Sequence, residues 1–131
     1  MRKLVFVSII ALMTILAFAQ STSEAPLQNI STDSTVVYRL FATKNMYHFI
    51  KLNTRNGQMW QVQWGVESKY RFETTLSNIS LVYKDDEING RFFLYPTTNI
   101  YHFILLDQID GRVWQVQWAI EEKDRMVVRI Y

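Results

Sequence analysis

The chain has 131 residues with 14 basic and 12 acidic side chains, 15% aromatics, no cysteine, 4 glycines and 2 prolines. Disulfides, thiolate metal sites and a thiol nucleophile are thereby excluded, and a domain of this size has to be held by packing alone. Setting aside Arg2 and Lys3, which fall in the leader described next, leaves 12 basic residues against 12 acidic ones. A chain so balanced lacks the basic footprint of phosphate-backbone binding, and no nucleic-acid partner is expected.

Taken in order, the chain opens on an address. Arg2 and Lys3 precede an apolar run from Leu4 to Phe18, and Ala17-Phe18-Ala19 supplies the small residues of a cleavage site. Residues 1–19 therefore read as a signal peptide, removed on export. The run falls short of the roughly 20 apolar residues of a membrane span, so no membrane association is expected after cleavage. The expected location is periplasmic or secreted. Residues 20–35, rich in Ser and Thr with Pro26, read as a flexible lead-in. Residues 36–131 form one β domain of ordinary size.

That domain is written twice. Leu40 to Phe72 aligns without a gap to Leu94 to Met126, with 17 of 33 positions identical. The matches include Tyr47-His48-Phe49-Ile50 with Tyr101-His102-Phe103-Ile104, Gly57 with Gly111, and Trp60-Gln61-Val62-Gln63-Trp64 with Trp114-Gln115-Val116-Gln117-Trp118. A duplicated supersecondary unit is one that cannot bury its apolar face alone. Repeat 1 spans 36–77 and repeat 2 spans 90–131, joined by the polar segment 84–90.

Each repeat is β-prone from end to end. Residues 36–43, 46–53 and 58–66 read as strands, the turns between them falling at 43–45 and 54–57, and a fourth strand covers 70–76. Gly57 and Gly111 suit the left-handed residue of a type I turn with a G1 bulge. That turn pairs Thr54 with Gln58, so Leu52 faces Trp60, Ile50 faces Val62 and His48 faces Trp64. Leu, Trp, Ile, Val and His then make the core face, with Trp60 and Trp114 equivalent within it. The fold class is all-β: two pseudo-symmetric antiparallel repeats of about four strands each, forming a small sandwich or barrel.

The opposite face carries Tyr47, Phe49, Gln61 and Gln63 in one repeat and Tyr101, Phe103, Gln115 and Gln117 in the other. Rings beside amides could stack a sugar and bond its hydroxyls. Tyr47, Gln61, Gln63, Tyr101, Gln115 and Gln117 are thus the ligand-binding candidates, against the plainer reading of a half-solvated sheet face. His48 and His102 could meet at a pseudo-two-fold axis around a metal. Two imidazoles are short of a zinc set, however, and a core role fits them better, so no metal or cofactor is expected. Asp85-Asp86-Glu87 lacks the spaced oxygens and glycine of a calcium loop. Nucleophile-elbow, phosphate-loop and zinc-helix motifs are absent, so no catalytic residue is assigned.

The stretches Leu52 to Trp60 and Leu106 to Trp114 resemble the hairpin of quinoprotein-type β-propeller repeats, where a turn ending in Gly precedes a tryptophan that docks on the next blade. Here Gly and Trp stand three apart, one fewer than in that family, and two units cannot close a propeller. Leu40 to Trp64 and Leu94 to Trp118 are also similar to small exported proteins of the Bacteroidetes type that carry a tandem Trp-Gln-Val-Gln repeat. Asn53 and Gln108 depart from that group's Asp-Thr positions. The resemblance implies export and a β fold, and no activity. The expected function is a non-catalytic binding module for glycan or envelope protein, the alternative being an inhibitor or masking protein of an extracellular enzyme.

Overall fold

The computed structural model describes Ile30 and residues 33–131. The expected leader, and most of the lead-in, lie outside the described residues. The duplication appears directly as two sheets. β1 (Tyr38–Ala42), β2 (His48–Asn53), β3 (Met59–Gln63) and β4 (Phe72–Ser77) form one four-stranded antiparallel meander, and β5 (Phe92–Pro96), β6 (His102–Asp107), β7 (Val113–Gln117) and β8 (Met126–Ile130) form the other. The sheets stay separate and pack face to face as a small sandwich, so the barrel alternative does not arise.

The hairpin register differs by one residue from the expected one. Asn53, not Thr54, lies opposite Gln58: the Asn53 amide donates to the Gln58 carbonyl (2.8 Å) and Gly57 N–H donates back to the Asn53 carbonyl (3.0 Å). Gly57 and Gly111 do take positive φ, 84° and 80°. The loop gains a residue because Asn53 Oδ1 caps the Arg55 amide (3.0 Å) as Asp107 Oδ1 caps Ile109 (3.0 Å), an Asx turn at the strand end. Thr54 is meanwhile engaged elsewhere, its N–H and hydroxyl donating to the Val37 carbonyl and its own carbonyl accepting from Phe92 N–H.

A slip of one residue turns every side chain over. His48 therefore stands opposite Gln63, Ile50 opposite Gln61 and Leu52 opposite Met59, while Trp60 pairs with Lys51 on the reverse face. The core face of the first sheet is Phe41, His48, Ile50, Leu52, Met59, Gln61 and Leu76, all buried. In the second sheet the buried set is Phe92, Leu94, Phe103, Leu105, Trp114 and Val116. These belong to the opposite face of the repeat: Phe103 is the counterpart of Phe49, and Trp114 of Trp60.

The two units thus follow one another head to tail. β2 runs beside β5, and β4 beside its own counterpart β8. Phe41 meets Phe93 edge-on (5.2 Å), and His48 stacks on Trp118 (5.0 Å, 25°). A pseudo-two-fold would have brought His48 to His102, and Trp60 and Trp114 into one core. Neither happens.

Candidate functional site

The strand ends build a cleft on each repeat from the same parts. Thr43 Oγ1 donates to the His48 carbonyl (2.8 Å), and Asn45 Oδ1 accepts the Tyr47 amide (3.0 Å). This short turn lifts Tyr47 out beside the end of β3. Trp64, just past β3, donates its amide to the Tyr47 carbonyl (3.0 Å) and its indole N–H to the Met46 carbonyl (2.7 Å). The Tyr47 and Trp64 rings are thereby locked 5.2 Å apart, inclined at 51°. Gln63 Nε2 donates to the Tyr70 carbonyl (2.9 Å) and ties the 3₁₀ turn Ser68–Tyr70 to the strand.

Repeat 2 reproduces this arrangement. Thr97, Asn99, Tyr101 and Trp118 take the same bonds, the Tyr101 and Trp118 rings lie 5.2 Å apart at 48°, and Gln117 Nε2 donates to the Asp124 carbonyl (2.7 Å). The first cleft, about 460 Å³, is lined by Tyr47, His48, Gln63, Trp64, Gly65, Val66, Glu67 and Tyr70. The second, about 280 Å³, is lined by Tyr101, Gln117, Ala119, Ile120, Glu121 and Asp124. The difference lies in the aromatic wall: Trp64 is 43% exposed, whereas Trp118 is 1% exposed beneath His48, and Asp124 stands where the first cleft has Tyr70.

Of the six candidates, Tyr47 with Gln63 and Tyr101 with Gln117 are brought together at the clefts. Gln61 is not. It lies on the buried face, 2% exposed, and its amide clasps the backbone of Ala119, donating to the carbonyl (2.9 Å) and accepting from the N–H (3.2 Å). Gln115 occupies the equivalent place on the second sheet, half-buried and away from its cleft. The expected sharing of a face by Gln61 and Tyr47 came from the wrong register. Trp64 and Tyr70 complete the aromatic wall of the first cleft. Trp64 was missed for the same reason, and Tyr70 because it reads as the start of the fourth strand, whereas it ends the 3₁₀ turn before it. The signal for Trp64 was its strict recurrence as Trp118 immediately after the strand.

His48 takes the core position expected of it, 6% exposed, but its tryptophan is Trp118 of the other sheet. Burial pushes its imidazole below the ordinary value of 6.5, with a side-chain hydrogen bond to Gln63 opposing. Because the unfolded chain binds that proton more readily, stability is full above the unfolded value and falls as pH drops through it. Denaturant midpoints measured between about pH 7.5 and 5.5 should decline toward acid, and His48→Gln should flatten that decline. An unchanged slope would remove His48 from the pH response.

Among the described residues no group of three or more His, Cys, Asp or Glu side chains converges as a metal would require. Asp85 and Asp86 sit in a short 3₁₀ turn, and Glu87 accepts from Asn56 Nδ2 (3.0 Å). Comparison with known protein families, curated proteins and solved structures finds no match for the chain.

Proposed function

We propose that the protein is a non-catalytic binding module, exported from the cytoplasm, whose ligand is a glycan held at the two clefts. The observation that carries this reading is the recurrence of a cleft holding a tyrosine and a glutamine, on the same backbone scaffold, in both repeats. The exposed Tyr47, Trp64 and Tyr70 rings offer stacking surface to a sugar face. Gln63, in the cleft lining, spends its N–H on the Tyr70 carbonyl and also hydrogen-bonds His48, so its amide is held in place as the polar group beside the rings. The leader-like order of Arg2, Lys3, the apolar run and Ala17-Phe18-Ala19 supports export.

Two weak sites on one rigid body act together on a polymer. Engaging both raises apparent affinity about 10²–10⁴-fold where the spacing permits. Tyr47→Ala or Tyr101→Ala alone should therefore abolish most binding to a polymeric glycan while sparing weak binding to a short fragment, and the double variant should lose both. A glycan array followed by calorimetry reads this. No binding to any glycan, with an extracellular enzyme bound and inhibited instead, would replace the glycan reading by the inhibitor one.

A further inference from the structure

Among the described residues, head-to-tail packing of the two units leaves one face of each kind uncovered. On the first sheet the open face carries Tyr38, Phe49, Trp60 and Val62, the counterparts of Phe92, Phe103, Trp114 and Val116, which are all buried in the second sheet. On the second sheet the open face carries Ile104, Leu106, Val113, Gln115 and Val128, and the first four are counterparts of Ile50, Leu52, Met59 and Gln61, buried in the first. The chain thus presents at one end the face that its own first sheet buries, and at the other end the face that receives it. Contiguous apolar sheet faces left open to solvent mark interaction surfaces.

We infer that the protein assembles head to tail with further copies of itself, the open face of repeat 2 seating on the open face of repeat 1 of the next copy. The existing interface between the two sheets says what the new one contains. Gln61 clasps the Ala119 backbone, so Gln115 would clasp that of Gly65 in the next copy. His48 stacks on Trp118, so His102 would stack on Trp64, which is already fixed by the same indole and amide bonds as Trp118 and lacks only its cover. Because the second cleft stays open beside the covered Trp118, the first would narrow toward the same form and keep Tyr47 and Gln63 accessible. The partner copy would in this way finish the wall of the first cleft.

One departure weakens the contact. Lys51 and Glu73, paired at 2.6 Å with the lysine 4.9 Å from the Trp60 ring, stand where the second sheet has Leu105 and Val127. Covering an ion pair is unfavourable relative to covering those aliphatics, so the contact between copies is looser than the one within the chain and is reversible on dilution. A heterologous contact of this type closes into a ring if its rotation permits and otherwise extends as a filament.

The test uses the protein expressed with its own leader and purified, followed by sedimentation velocity and native mass spectrometry over a dilution series. Oligomers that dissociate on dilution are expected. Val62→Glu blocks one face and Val128→Glu, at a half-exposed position, blocks the other, with circular dichroism checking that each variant folds. Each alone should be monomeric, and mixing the two should restore a dimer with one copy of each and nothing larger. A single-chain mass at every concentration for the unaltered protein overturns the inference, whatever then lies over the faces. So does a dimer that persists in one single variant, because that contact would be symmetric rather than head to tail.

Discussion

Trp114→Ala is expected to destabilise the protein by about 3–5 kcal/mol, the range for deleting a large aromatic from a packed core. Trp60→Ala, measured at a dilution where the protein is a single chain, is expected to lose less, about 2 kcal/mol, since a ring left partly in contact with water gives up less than a fully buried one. Identical residues at identical positions of a repeat would thus differ in what they contribute. Trp114 is 5% exposed, its ring centroid 5.9 Å from that of Phe92, and the Arg112 and Arg129 guanidinium groups lie 5.1 and 5.4 Å from its ring. Trp60 has Tyr38 at 6.2 Å and the Lys51 ammonium at 4.9 Å from its ring. Guanidinium midpoints of the two variants decide the matter. Equal losses would mean that both tryptophans share one core, and would overturn the head-to-tail arrangement of the sheets.

The second large effect concerns Asp107, whose carboxylate is fully buried. Arg91 grips it through Nε (3.0 and 2.9 Å) and Nη2 (2.9 Å), Arg112 Nη2 stands 3.4 Å away, and the Ile109 amide donates to it (3.0 Å). Asp107→Ala leaves the buried Arg91 charge with only the more distant Asp110 carboxylate (3.4 Å) and uncaps the turn after β6. The expected loss is about 3–5 kcal/mol, as for removing one partner of a buried pair. Repeat 1 supplies the control. Its counterpart is Asn53, which caps the turn without carrying charge, so Asn53→Ala should lose about 1 kcal/mol. If Asp107→Ala proved no worse than Asn53→Ala, the ion pair would be contributing nothing beyond the cap. Replacing Arg91 and Asp107 together by Met and Leu should recover much of the loss, because the penalty lies in the poorly compensated buried charge more than in the missing bond.

The duplication, the four strands per unit and the positive-φ glycines at 57 and 111 were all legible in the sequence. A close repeat, β-branched and aromatic runs, and a glycine at a turn each have a local cause. The register was less accessible. A three-residue and a four-residue loop both place Gly57 before Gln58, and the Asn53 side chain, a feature of one residue, selects the longer one. That single residue decided whether Gln61 joined Tyr47 at the surface or Ile50 in the core; Gln63, on the same face, reaches the cleft because it ends the strand.

What no reading of either repeat alone could settle is which face it buries. Both faces are apolar: Phe49, Trp60 and Val62 on one, Ile50, Leu52 and Met59 on the other. Alternation distinguishes a wet face from a dry one only when the two differ in polarity. A head-to-tail pair has two inner faces and two outer ones, so the same residues become core in one copy and surface in the other. The local sequence determined the β units and the clefts at their strand ends, because turn bonds and strand pairing act within about thirty residues. Burial was decided only when the second sheet came to rest on the first, because it depends on what lies beyond the unit and not on the unit itself.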